Sequence, residues 1–188
     1  MIRLPSNLAA AGRYQAFRRV TIHVGSKADS VERKSAELLK ARLTQASRVE
    51  VRVEQEGAGS PQSADCLMVL LGVPAHHAEL ARRLDAYRIK PLTERDPGPE
   101  GFLVRCCMDA TPPSVMAAGV DRRGVFYAVG EILRRTVLGE RSLRVPQNLD
   151  MRTAPAFEVR GTQFGQGGFA KRLAKVRVLS RLGTPCAC

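Results

Sequence analysis

The sequence has no hydrophobic run long enough to cross a bilayer, which takes roughly 18 or more apolar residues. Its first 20 residues also lack the apolar core of a signal peptide. As written, the chain is therefore expected to be cytoplasmic and to have no membrane span. A secreted or periplasmic location would require a signal peptide lost from upstream of Met1, with a different start codon.

Cysteine is too scarce and too unevenly spaced for a disulfide framework. The five cysteines are an odd number, and the adjacent Cys106 and Cys107 point to opposite faces of an alternating strand. Cys186 and Cys188 could supply half of a metal site, but no matching Cys or His pair occurs elsewhere in the sequence. We therefore expect no bound metal and no cofactor.

Acidic residues are absent from the last 29 residues, although the chain as a whole has a net charge of +12. Half of that excess comes from this segment, in Arg160, Lys171, Arg172, Lys175, Arg177 and Arg181. Such a charge favours a polyanion as partner, but no helix-turn-helix, zinc-finger or RNA-recognition spacing accompanies it. Nucleic acid is thus not the favoured partner. A small basic module that binds a polyanion or a carbohydrate stays as the alternative function.

Strands and helices alternate along the first two thirds of the chain, whose length and 44% apolar content suit one globular domain with tails. Alternating apolar residues predict half-buried strands over 19–24 and 49–54, and an apolar run predicts a central strand over 65–72. A helix over 30–46 starts with Asp29 and Glu32 at the spacing of a capping box. A second helix is predicted over 76–87, where His76 and His77 are interpreted as surface or capping residues.

The stretch from Pro99 to Arg135 has the most informative pattern. Two strands, over 101–107 and 114–120, are joined by a turn rich in proline, which predicts a hairpin. An amphipathic helix follows directly and ends near Gly139. Together these elements predict an α+β fold in which helices pack on a mixed β-sheet as a two-layer sandwich.

The corner between the second hairpin strand and this helix reads Gly119-x-Asp121-x-Arg123-Gly124. In one interpretation it binds an anion or takes part in acid–base chemistry. In the other, Asp121 caps the helix, an arginine pairs with a carboxylate, and Gly124 allows close packing. We favour the structural interpretation because one cap accounts for Asp121 without a ligand.

This corner, with its preceding hairpin and its tyrosine-bearing helix, resembles the accessory domain that precedes the catalytic barrel in family 20 β-N-acetylhexosaminidases and family 67 α-glucuronidases. A second motif supports the resemblance: Pro155-Ala-Phe157-x-x-Arg160-Gly161 is similar to the entry into the first barrel strand of these enzymes. The resemblance implies that Arg160 binds hydroxyls of the substrate sugar and that a catalytic barrel is the partner of this domain. It also implies that Gly119, Asp121, Arg123 and Gly124 support the fold and carry no catalytic group.

The resemblance stops after Gly165, where a barrel would need on the order of 250 further residues. We expect an N-terminal tail over 1–18, the accessory domain over 19–140, a linker over 141–156, a first barrel strand over 157–165 and a basic tail over 166–188. That tail is interpreted either as the product of a frameshift or as a basic amphipathic helix. The predicted function is a noncatalytic accessory domain of a glycoside hydrolase, with no catalytic residue in this chain, which alone is expected to be inactive.

Overall fold

The computed structural model describes residues 13–59, 63 and 65–156. Their regular elements are three α-helices, a one-turn 3₁₀ helix (Pro74–His76) and nine β-strands, which lie in a compact unit that ends at Ala154. The helices are α1 (Ser30–Ser47), α2 (Ala78–Ala86) and α3 (Arg122–Arg135). The strands are β1 (Tyr14–Phe17), β2 (Arg19–Val24), β3 (Glu50–Gln55), β4 (Cys66–Gly72), β5 (Phe102–Cys107), β6 (Ser114–Gly119), β7 (Val137–Gly139), β8 (Ser142–Pro146) and β9 (Asp150–Thr153).

Six strands form the main sheet in the order β3-β2-β4-β6-β5-β9. The first four of these are parallel to one another, whereas β5 runs antiparallel to both β6 and β9. The hairpin of β5 and β6 is thus confirmed. The mixed sheet with helices packed on it also confirms the α+β fold class.

The larger part of the core lies between the main sheet and the two long helices, α1 and α3. Alternate residues of the strands, such as Ile22 on β2 and Val69 on β4, face this side and meet Leu39 of α1 and Val129 of α3. Their neighbours in sequence face the other side, where the short helix α2 covers them. β4 is buried along its whole length because helices cover both of its faces.

Three strands lie in segments for which the sequence analysis expected a tail and a linker. β1 pairs with β8, and β8 pairs with β7, to give a small antiparallel sheet beside the main one. Phe17, Leu143 and Val145 from this sheet are buried in the same core as α1 and α3. β9 then joins the edge of the main sheet. The apolar alternation of Leu143 and Val145 was the available signal for β8.

The caps of the helices follow the sequence closely. Asp29 accepts hydrogen bonds from the backbone N–H groups of Val31 and Glu32, while Glu32 accepts one from the backbone N–H of Asp29, so the capping box is confirmed. His77 is the N-cap of α2, as expected for a capping histidine. Among the described residues, no helix is both long and apolar enough to span a membrane.

Candidate functional site

The Asp121 corner, made of Gly119, Asp121, Arg123 and Gly124, joins β6 to α3. The carboxylate of Asp121 accepts three backbone hydrogen bonds: Oδ1 from Arg123 and Gly124 at 2.8 Å each, and Oδ2 from Glu100 at 3.1 Å. The first two cap α3, and the third ties the cap to the segment that enters β5. Asp121 is therefore committed to backbone donors on both of its oxygens.

The other three residues of the corner also have structural roles. The guanidinium of Arg123 forms an ion pair with Glu100, with Nη1 2.7 Å from Oε1. A β-carbon on Gly124 would collide with the backbone carbonyl oxygen of Gly101, and one on Gly119 would collide with the backbone of Asp121 and Val125. Both glycines are thus required by close backbone approach. The corner holds helix, hairpin and loop together and presents no spare acid or base.

The position where a parallel sheet usually binds a ligand is also filled. In an open sheet with helices, ligands bind outside the carboxyl ends of the strands where the strand order reverses. Here the chain moves from β2 outward to β3 and then back to β4, so that place is the space between the ends of β2 and β4. We call it the switch crevice. It contains Gly25, just after β2, and residues 73–77, which follow β4.

Glu32 closes the switch crevice with its buried carboxylate. Oε1 accepts the backbone N–H of Val73 at 2.7 Å, and Oε2 lies 2.7 Å from Nδ1 of His76 as well as accepting the capping bond from Asp29. On the opposite wall, a β-carbon on Gly25 would collide with the backbone carbonyl of His76. The protein's own groups therefore occupy the position in which a ligand would lie.

A second carboxylate, that of the partly buried Glu56, lies just beyond β3. Its Oε1 accepts from both the backbone N–H and the hydroxyl of Ser26, and its Oε2 accepts from the backbone N–H of Glu79 and lies 2.9 Å from Nδ1 of His77. Burial alone would raise the pKa of Glu56, but these hydrogen bonds outweigh it and lower the pKa to about 2. Burial lowers the pKa of His77, against the opposing effect of Glu56.

The described cysteines are structural. Cys66, Cys106 and Cys107 are free thiols within the main sheet. Burial raises the pKa of Cys106 to about 12, so its thiol is not poised for nucleophilic chemistry. Among the described residues, no group of three His, Cys, Asp or Glu side chains is arranged to hold a metal ion.

Several predictions from the sequence lie outside the described residues. These are the substrate-binding assignment of Arg160, the first barrel strand over 157–165, and the basic tail over 166–188 with Cys186 and Cys188. Conversely, the sequence analysis did not predict the hydrogen bonds that Glu32 accepts from Val73 and that Glu56 accepts from Ser26. Both contacts join residues 30 or more positions apart, and a single sequence contains no local signal for them.

Comparison with known proteins gives similarities to solved structures. No protein-family model matches the chain, and no curated protein matches it. Among solved structures, the chain is similar to one named "Structure of CpGH84D", with 9% sequence identity and a TM-score of 0.45. The similarity covers 74% of this chain and 22% of that chain. The chain therefore spans only about a fifth of the length of the structure that it matches.

Proposed function

We propose that this chain contains the noncatalytic accessory domain that precedes the catalytic barrel of a glycoside hydrolase of the family 20 or family 67 type. The observation that carries the proposal is the use made of the Asp121 corner. In the motif on which the resemblance rests, Asp121 accepts hydrogen bonds from three backbone N–H groups, and Arg123 forms an ion pair with Glu100. Its two glycines allow close backbone contacts. Such a motif holds the elements of this domain in place, and the groups that cleave the glycosidic bond would belong to another domain.

The filled switch crevice supports the same proposal. Glycoside hydrolysis normally needs two carboxyl groups about 5 to 10 Å apart beside an open subsite, or one carboxylic acid with help from the substrate. Glu32 in the switch crevice and Glu56 just beyond β3 each accept at least three hydrogen bonds from the protein. Neither is available as the acid or as the nucleophile of such a reaction.

The outer side of α3 offers a surface on which a barrel could pack. Phe126 is the large hydrophobic side chain most exposed among the described residues, at 48%. One turn further along the helix, Gly130 has open space where a β-carbon would stand. An exposed ring beside a gap of this kind fits an apolar side chain of a neighbouring domain.

Two experiments test the proposal. The DNA beyond codon 165, read in all three frames, is expected to encode a barrel with paired Asp or Glu residues, and a region without such a barrel would refute the proposal. The purified chain is expected to show no turnover of aryl glycosides. Turnover that disappears in an Arg160→Ala variant would contradict the noncatalytic role and would favour a site built around Arg160.

If the barrel is found, its binding to this domain can be measured directly by calorimetry. Phe126→Asp is expected to weaken the binding by tenfold or more, because burying an unpaired carboxylate in an apolar contact is costly. Glu140→Gln, an exposed change elsewhere on the domain, serves as the control and is expected to leave the affinity unchanged.

A further inference from the structure

β3 forms one edge of the main sheet. It pairs with β2 in six consecutive residue pairs, from Glu50 opposite Arg19 to Gln55 opposite Val24, without a bulge. No strand within the described residues pairs with its other side. Natural sheets protect such edges by proline, by bulges or by very short strands, and β3 has none of these. Its outer side is therefore a template on which another strand can pair.

The register with β2 shows which backbone groups of β3 point outward. The N–H of Glu56, directly after β3, donates to the carbonyl of Val24 on β2 at 2.8 Å. The N–H and C=O of one residue point to the same side of a strand, and successive residues alternate between the two sides. The even-numbered residues of β3 therefore bond to β2. The odd-numbered Val49, Val51 and Val53 direct their donors and acceptors away from the sheet.

The two faces of β3 differ in character. Val49 and Val51 are buried in the core. On the other face the charges alternate in sign, from Glu50 through Arg52 to Glu54. The side chains of Glu50 and Arg52 are 51% and 68% exposed, and Nη2 of Arg52 lies 2.6 Å from Oε1 of Glu50. An exposed pair of this kind contributes little to stability, so both groups are free to meet charges on a neighbouring strand.

A second copy of the chain has the charges that fit this edge. Identical copies in a closed dimer use the same surface about a two-fold axis, so the two β3 strands meet antiparallel. With the axis at Val51, this residue lies opposite its own copy, and Val49 lies opposite Val53. The outward groups of the valines then meet as the hydrogen-bonded pairs of an antiparallel ladder. Each Glu50 lies opposite Arg52 of the other copy, so both charge pairs are opposite in sign.

Neighbouring registers bring like charges together. An axis at Arg52 places this residue opposite its own copy and Glu50 opposite Glu54. An axis at Glu50 sets two copies of this glutamate against each other, and an axis at Val53 places Glu50 opposite Glu56. An axis between two residues sets outward backbone groups against inward ones. Like charges directly opposite are destabilising, so the register centred on Val51 is the favoured one.

We propose that the chain forms a dimer in which the β3 strands of two copies pair antiparallel about Val51 and join the two main sheets into one. The pairing also covers Val53, which is only partly buried in one copy, with Val49 of the second. The dimer goes beyond the proposed function, because it needs neither a barrel nor a sugar. Phe126, the residue proposed to contact a barrel, is on α3, which packs on β5 and β6. Either proposal can therefore fail while the other stands.

Charge reversal on β3 tests both the dimer and its register. Glu50→Arg places arginine opposite arginine in both cross-strand pairs, and Arg52→Glu places glutamate opposite glutamate. Each variant of the full chain is expected to raise the Kd of the dimer at least about tenfold, measured by sedimentation equilibrium under reducing conditions. An equimolar mixture of the two variants regains opposite charges in both pairs. It is expected to form a heterodimer about as tight as the parent dimer, and the double variant is expected to dimerise like the parent.

A control variant and a second measurement complete the experiment. Glu94→Arg, an exposed charge reversal in the loop between α2 and β5, is expected to dimerise like the parent chain. The amides of Val51 and Val53 are expected to exchange hydrogen more slowly at high protein concentration, whereas that of Glu54, which points toward β2, is expected to be unaffected. Circular dichroism checks that every variant is folded.

Two results would overturn the proposal. One is a parent chain that stays monomeric at every concentration, as it would if another segment or another protein covered the edge of β3. The other is single reversals that dimerise as tightly as the parent, which would place the contact on another surface.

Discussion

The backbone carbonyl oxygen of Gly101 occupies the space in which a β-carbon on Gly124 would stand. The first turn of α3 thus lies directly against the segment that enters β5. A second contact reinforces the first, because the backbone N–H of Val120 donates to the same carbonyl of Gly101 at 2.8 Å. Neither backbone can withdraw without breaking the hydrogen bonds that Asp121 accepts from Glu100, Arg123 and Gly124.

Gly124→Ala is expected to lower the free energy of unfolding by about 2 to 4 kcal/mol, because the new methyl group meets backbone atoms that cannot move aside. Chemical denaturation followed by circular dichroism measures the effect. Gly130→Ala is the matched control in the same helix, where nothing lies within 4 Å of the added carbon. It is expected to stabilise the domain by up to about 1 kcal/mol through helix propensity. Equal effects of the two changes would show that the contact with Gly101 is not limiting.

Asp121→Ala is expected to cost about 2 kcal/mol, at the upper end of the effect for a lost helix cap, because one of its three backbone donors belongs to a separate segment at Glu100. Asp121→Asn keeps one carbonyl oxygen for the cap and is expected to cost less than half as much. The unfolding midpoints in urea compare the two variants. An asparagine variant as unstable as the alanine variant would contradict the capping role.

Glu32→Gln is expected to lower the free energy of unfolding by about 2 to 3 kcal/mol, because an amide N–H₂ replaces an oxygen that accepts from Val73, Asp29 or His76. Glu37→Gln lies on the exposed face of the same helix and serves as the control. Its effect is expected to stay within about 0.5 kcal/mol. Hydrogen exchange at the amide of Val73 should accelerate in the first variant only.

The stability of the domain is expected to fall as the pH is lowered, for two reasons with the same sign. The fold holds the pKa of Glu56 at about 2 rather than its ordinary 4.5, so the stabilisation is complete above pH 4.5 and is lost as the pH approaches 2. The fold also lowers the pKa of His77 through burial, so protonation of this ring opposes folding below its ordinary pKa of 6.5. Unfolding free energies measured from pH 7.5 to 2.5 provide the profile.

Glu56→Gln removes the carboxyl that titrates between pH 4.5 and 2, and the variant is expected to show a flatter profile in that range. Glu140→Gln, at an exposed position, is expected to leave the shape of the profile unchanged. If the profile of the Glu56 variant kept the slope of the parent chain, the acid sensitivity would belong to other groups.

Arg152→Lys is expected to cost about 1 to 3 kcal/mol although it keeps the positive charge. The guanidinium of Arg152 on β9 donates to Oδ1 of Asp96 and to the backbone carbonyls of Lys90, Pro91 and Asp96. An ammonium cannot reproduce this planar set of donors. Limited proteolysis should then cut the loop over 88–99 faster, whereas Arg144→Lys, an exposed change, should leave the rate of cleavage as it is.

Local signals in the sequence were sufficient for the long elements and their caps. The alternation in β2, the capping box at Asp29 and the hairpin of β5 and β6 each depend on residues close in the chain, where periodicity and capping chemistry act directly. β1 and β9 are four residues long and have no comparable pattern. Each forms because it pairs with a strand far away in the sequence, and a local pattern does not predict such a pairing.

The candidate sites were harder to predict for the same reason. The structural interpretation of Asp121 needed one helix cap, which is a local feature. The environment of His23 could not be inferred, because Glu54 and Glu79 reach it from another strand and from a helix. On β2 the apolar alternation of Val20, Ile22 and Val24 marked one face as buried. Nothing indicated that Glu54 of β3 and Glu79 of α2 would lie beside His23 on the other face.

The carboxylate of Glu32 also changes how the domain would respond to selection for a new ligand. An empty crevice acquires affinity through one favourable substitution, but this crevice must first lose the hydrogen bonds that hold Val73 and His76 in place. Each step toward a vacant pocket therefore lowers stability before any binding is gained.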